Sequence, residues 1–152
     1  MKQFLLSVVI FISVTGIFSA CNNSDGVTPA VNQTVSATIN NVAFNTDTVV
    51  ANHINSSKGI SVTGNYVSIV NFNISDYTGV GTYAIGNDTA GNASGNTAIY
   101  NDGSVAHTAQ SGQIIVTLSQ TTQLGINIVG TFNFIAGPDT LSNGTFNVTL
   151  IQ

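Results

Sequence analysis

Ile126-Asn127-Ile128-Val129-Gly130-Thr131-Phe132-Asn133-Phe134 alternates residue by residue between two kinds of side chain. Ile126, Ile128, Phe132 and Phe134 fall on one face, and Asn127, Val129, Thr131 and Asn133 on the other. Successive side chains of an extended chain point to opposite sides, so this pattern predicts an antiparallel strand with one face in a core and one in water. The alternation recurs on both sides of this stretch. Thr145–Leu150 puts Phe146, Val148 and Leu150 inward, and Val70–Ile74 does the same with Val70, Phe72 and Ile74. Further strands are expected at 35–39, 42–44, 48–51, 59–63, 80–85, 97–100, 105–108 and 113–119. Asn40-Asn41, Asp102-Gly103 and Asn143-Gly144 are two-residue hairpin signals, with weaker ones at Gly64-Asn65 and Ser111-Gly112, because Asn, Asp and Gly tolerate positive φ. Gly86–Asn96 carries no large apolar residue and predicts a long loop. The expected fold is therefore all-β, an antiparallel meander closed as a β-sandwich, with a lipocalin-like up-and-down β-barrel as the alternative.

Composition narrows the function. The chain has 152 residues, with Lys and Arg numbering 2 and charged residues only 5% of the total. There are six Asp, no Glu, no Arg and no Trp, against 19 Asn and 19 Thr. A nucleic-acid binder needs cations to displace counterions from phosphates, and Lys2 and Lys58 do not make such a surface. Phosphoryl transfer wants a Gly-rich cradle ending in Lys-Ser/Thr, which is missing from the sequence.

The amino terminus reads as a leader. Met1-Lys2-Gln3 supplies a positive charge, residues 4–18 form an apolar run, and Ser19-Ala20 ends it with small residues. This is the order of a secretory signal peptide over residues 1–20. Cys21, the single cysteine, follows directly, and Ile17-Phe18-Ser19-Ala20-Cys21 resembles a bacterial lipobox with Phe18 where Leu is usual. An acylated Cys21 is then expected to anchor the chain in a lipid bilayer of the cell envelope, and the outer membrane is the expected location. Residues 21–34, with Pro29, read as a tether, and residues 35–152 as one domain.

Thr38-Ile39-Asn40-Asn41-Val42-Ala43-Phe44, Tyr77-Thr78-Gly79-Val80-Gly81-Thr82-Tyr83 and Asn143-Gly144-Thr145-Phe146-Asn147-Val148 together resemble a family of small Bacteroidetes lipoproteins carrying a domain of unknown function. The resemblance implies location and fold. Its motifs are strand starts and turns, so it carries over no catalytic residue. Asp47-Thr48-Val49, Asp88-Thr89-Ala90 and Asp139-Thr140-Leu141 are similar to the O-glycosylation acceptor motif of exported proteins of that group, making Thr48, Thr89 and Thr140 candidate modification sites.

Catalytic chemistry finds little purchase. His53 and His107 sit in no recognisable motif, and Asp47, Asp88, Asp102 and Asp139 stand in turn-like settings, with Asp76 just after a strand. Two isolated His are too few for zinc, and Asn87, Asp88, Asn92 and Asn96 lack the spacing and closing Glu of a calcium loop. No enzyme, metal or cofactor is expected. The expected role is a surface or periplasm-facing lipoprotein binding a glycan or a partner protein, with Tyr77, Tyr83 and Tyr100 as candidate stacking residues. A structural envelope component with open strand edges, or a carrier of a small lipophilic ligand, stands as the alternative.

Overall fold

The computed structural model describes residues 32–54, 59–86 and 95–151, and every regular element among them is a β-strand. The strands are β1 (Thr34–Ile39), β2 (Val42–Thr46), β3 (Val49–Ile54), β4 (Gly59–Asn65), β5 (Ile69–Ile74), β6 (Gly81–Gly86), β7 (Thr97–Asn101), β8 (Ala106–Thr122), β9 (Gly125–Ala136) and β10 (Asp139–Ile151). The expected leader, Cys21, Lys58, Thr89 and most of the long loop lie outside the described residues.

All pairings are antiparallel, in the order β2-β1-β10-β9-β8-β7-β5-β4-β3, with β6 joined to β8 beside that path. Two sheets result, and β8 belongs to both. Its first residues pair with β7 at Tyr100↔His107, whereas residues 111–116 pair with β6. The first and last strands of the path, β2 and β3, are consecutive in sequence, linked only by Asp47 and Thr48. That link is tied to the end of β4: Asn65 N–H donates to the Thr48 carbonyl at 2.9 Å, and the Thr46 hydroxyl donates to the Asn65 carbonyl. The two sheets thus meet at both sides, giving a flattened, nearly closed barrel, between the two architectures the sequence suggested. It is not a simple meander, because β1 pairs with the last strand and β6 leaves its neighbours β5 and β7 for the other sheet.

The core is aromatic where the sheets face each other. Phe72 of β5 lies 5.3 Å from Phe132 of β9 and 5.1 Å from Phe146 of β10, ring centre to ring centre. These rings are buried, as are Val70, Ile74, Ile128, Val148 and Leu150, all residues the alternation places inward. Tilted aromatic contacts at this distance add to the burial of large apolar area.

Three of the expected hairpin signals lie inside strands, among them Gly64-Asn65, which ends β4 and pairs with Val70 and Ile69, the turn falling at residues 66–68. Asn40-Asn41 does close β1 onto β2, both residues at positive φ (48° and 69°), as a type I′ turn requires. Asn143-Gly144, however, lies inside β10. Asn143 takes φ 50° and the pairing with β9 shifts between Leu141 and Gly144, so the same left-handed preference makes a bulge and the strand continues. Ser111-Gly112 is likewise interior to β8, next to a register shift between Ala109 and Ser111. The β9–β10 turn instead falls at Gly137-Pro138, with Gly137 at φ 61°.

Candidate functional site

An apolar groove runs along β2. This strand ends the hydrogen-bonded path, so one of its edges has no strand partner among the described residues. Facing it are the β4–β5 turn, Tyr66-Val67-Ser68, and Tyr100 near the end of β7. Together with Ile39, Asn40, Val42, Ala43 and Phe44 they line a groove of about 360 Å³. A second hollow of about 480 Å³, walled by Asn45, Thr46, Asp47 and Thr48, adjoins it, and Tyr66 lines both. Val42, Tyr66 and Val67 are 68%, 71% and 77% exposed, whereas Tyr100 is 8% exposed and sits low in the groove. Tyr66 is held by a backbone bond from its N–H to the Ser68 carbonyl at 2.9 Å.

The free edge of β2 has a definite polarity. A two-residue turn makes Ile39↔Val42 the closing hydrogen-bonded pair of the hairpin. Alternation along the ladder then makes Thr38↔Ala43 and Ser36↔Asn45 non-bonded pairs, so the N–H and C=O of Ala43 and Asn45 point outward. Ala43 lines the groove and Asn45 the adjoining hollow, so these groups give the two a polar wall, and the exposed apolar side chains form the groove's rim.

The three tyrosines singled out from sequence do not converge. Tyr77 and Tyr83 stack on each other at 6.0 Å and 28°, both half-buried against the core, and Tyr100 lies apart in the groove. The Tyr83 hydroxyl donates to the Gly79 carbonyl at 2.7 Å and accepts from Thr78 N–H at 3.1 Å, so it pins the β5–β6 connection. Burial pushes the Tyr77 phenol above its ordinary value; the Ser119 hydroxyl pulls the other way, facing it outside good hydrogen-bond geometry. Tyr66, the aromatic most available to a ligand, was missed. A local turn signal marks its place, but its exposure beside β2 depends on how the two sheets meet.

The remaining candidates occupy ordinary structural positions. Thr48 is exposed in the β2–β3 link, and Thr140 is exposed on β10. Asn40 clasps the second site: its side-chain N–H donates to Asp139 at 2.6 Å, and its Oδ1 accepts from Thr140 N–H at 3.0 Å. Asp102 caps the β7–β8 turn, accepting from Ser104 and Val105 N–H at 2.7 and 2.8 Å, which holds its carboxyl below the usual range. His107 packs beside Gly137 at the β9–β10 turn, and His53 is half-buried on β3. Asn96 donates to the Ala84 carbonyl of β6 and accepts from the N–H of Ser75, the residue after β5. Among the described residues no group of three or more His, Cys, Asp or Glu is placed to hold a metal ion.

Residues 31–151 match a family described as Domain of unknown function (DUF6252). No curated protein and no solved structure matches the chain.

Proposed function

The chain belongs to the family described as Domain of unknown function (DUF6252), and from that premise we propose a non-catalytic recognition module held on the bacterial envelope by acylated Cys21. Its ligand is an extended segment of a partner protein, laid along β2. One observation carries this reading: the groove has an open strand edge as one wall and exposed Val42, Tyr66 and Val67 around it. Strand addition uses such a pair of features, main-chain bonds for affinity and side-chain pockets for specificity. Of the devices that keep strands apart, the edge has none of the side-chain ones, since β2 contains no Lys, no other charge and no Pro. The lipobox-like sequence, the short apolar leader and the shortage of cations support the envelope location, and Thr48, Thr89 and Thr140 are proposed there as glycan-bearing positions.

The test is a photo-crosslinking side chain placed at position 66 in the source cell, with position 82 on β6 as control. A partner strand should be captured from 66 and not from 82. Ala43→Pro removes an outward N–H without touching the β1 ladder, so it should abolish capture and leave the fold intact. Equal capture from both positions, or capture indifferent to Ala43→Pro, would overturn strand addition.

A further inference from the structure

Two distortions flank one stretch of β9. On the β10 side the register slips before Gly144, which pairs with Phe132; on the β8 side it slips before Ser111, which pairs with Ile135. Between them, on the outer face of the sheet, lie two adjoining hollows of about 400 and 250 Å³, and Asn133 lines both. Thr131, Asn143 and Thr145 border the first, and Thr140, Ser142 and Ile135 border the second, so the trough is open to a ligand in copies whose Thr140 carries no glycan. Ile135 is 44% exposed, an apolar patch beside the central amide.

Uninterrupted pairing would give a flat face here, and the protein departs from it at a cost. A bulge forfeits ladder bonds, and Asn143 occupies the left-handed region with a side chain other than glycine's. Such features concentrate where a side chain must be re-aimed. The charge pattern selects the ligand. Among the described residues no ionisable side chain lines either hollow, and both lysines of the chain lie outside those residues. An anionic ligand finds no counter-charge and a cationic one no carboxylate. Amide and hydroxyl groups that donate and accept together, next to an aliphatic patch, match the vicinal hydroxyls and C–H face of a sugar. We propose that this trough over β9 is a binding site for a neutral oligosaccharide, separate from the groove along β2.

Affinity electrophoresis of the full chain through gels containing soluble starch, laminarin, dextran, xylan or mannan tests it, with polygalacturonate as the anionic comparison. At least one neutral polymer should retard the protein, and polygalacturonate should not. Asn133→Ala should weaken that retardation roughly tenfold at an unchanged melting temperature, the effect of losing one or two good hydrogen bonds. Asn143→Gly, which keeps the backbone conformation and deletes the amide, should weaken it as well, and Tyr66→Ala should not. The proposal is overturned if no neutral polymer retards the protein, if polygalacturonate does so equally, or if both Asn variants bind normally. Loss in Tyr66→Ala alone would move the sugar to the β2 groove and also overturn it. Failure here leaves strand addition at β2 standing, because that is read by crosslinking at a different face.

Discussion

At the scale of single residues, Gly-Thr-aromatic occurs three times in the sequence, and two of the copies explain each other across one pair of strands. Gly130-Thr131-Phe132 of β9 runs antiparallel to Gly144-Thr145-Phe146 of β10, so Gly130 sits opposite Phe146 and Gly144 opposite Phe132. Each glycine leaves room for the other motif's ring: a Cβ at Gly130 would lie 2.4 Å from Phe146, and one at Gly144 would lie 2.5 Å from Phe132. Gly144→Ala or Gly130→Ala should therefore overpack the core and cost about 1–3 kcal/mol, measured by urea unfolding. The third copy, Gly81-Thr82-Tyr83, pairs with Ile114–Val116 instead and meets only its own tyrosine ring, so Gly81→Ala should be much milder. Asp102 supplies a pH dependence. Its carboxyl titrates below the ordinary 3.8, so its capping bonds add stability that is present above that value and lost as the pH falls through the lowered one. Amide shifts of Ser104 and Val105 should follow that titration, and Asp102→Ala should erase it. The group is fully exposed, so global stability should change little.

At the scale of elements, the sequence was most readable where alternation was longest and least readable where turn chemistry was borrowed for another purpose. β5, β9 and β10 present the inward faces expected of them, because burial on one side imposes a two-residue period that few other structures share. Asn143-Gly144 and Ser111-Gly112 carry the residues of a hairpin but lie inside strands of 13 and 17 residues. Local sequence announces positive φ; whether the chain reverses or only bulges depends on the strands at either side. Tyr66 was hidden for a related reason, since a turn aromatic becomes part of a groove only when β2 is brought next to it. Asn40-Asn41 behaves as read, and it offers a clean check. Asn41 holds φ 69° where glycine would be unstrained, so Asn41→Gly should stabilise the protein by a few tenths to about 1 kcal/mol in thermal unfolding.

At the scale of the whole molecule, one ring joins the two layers. Phe72 is the β5 side chain that touches both Phe132 and Phe146, so it couples the sheet of β3, β4, β5 and β7 to the sheet of β1, β9 and β10. Phe72→Ala should cost about 3–5 kcal/mol. With β8 shared between the sheets, the loss should appear as one transition, and hydrogen exchange should accelerate together in β4 and β10. Two transitions would mean that the layers fold separately. Sequence could announce Phe72 as an inward residue, but its partners are sixty and more positions away and no local pattern names them.

The pairing of β1 with β2 has a mechanical consequence. β1 is the strand that continues toward Cys21, and its neighbour β2 borders the groove. A pull between an anchored amino terminus and a partner gripping β2 would travel through five residue pairs, Val35↔Thr46 to Ile39↔Val42, and then leave the molecule. The aromatic interior would carry almost none of that load, so a tethered copy could be tugged by its partner while the rest of the barrel stays slack.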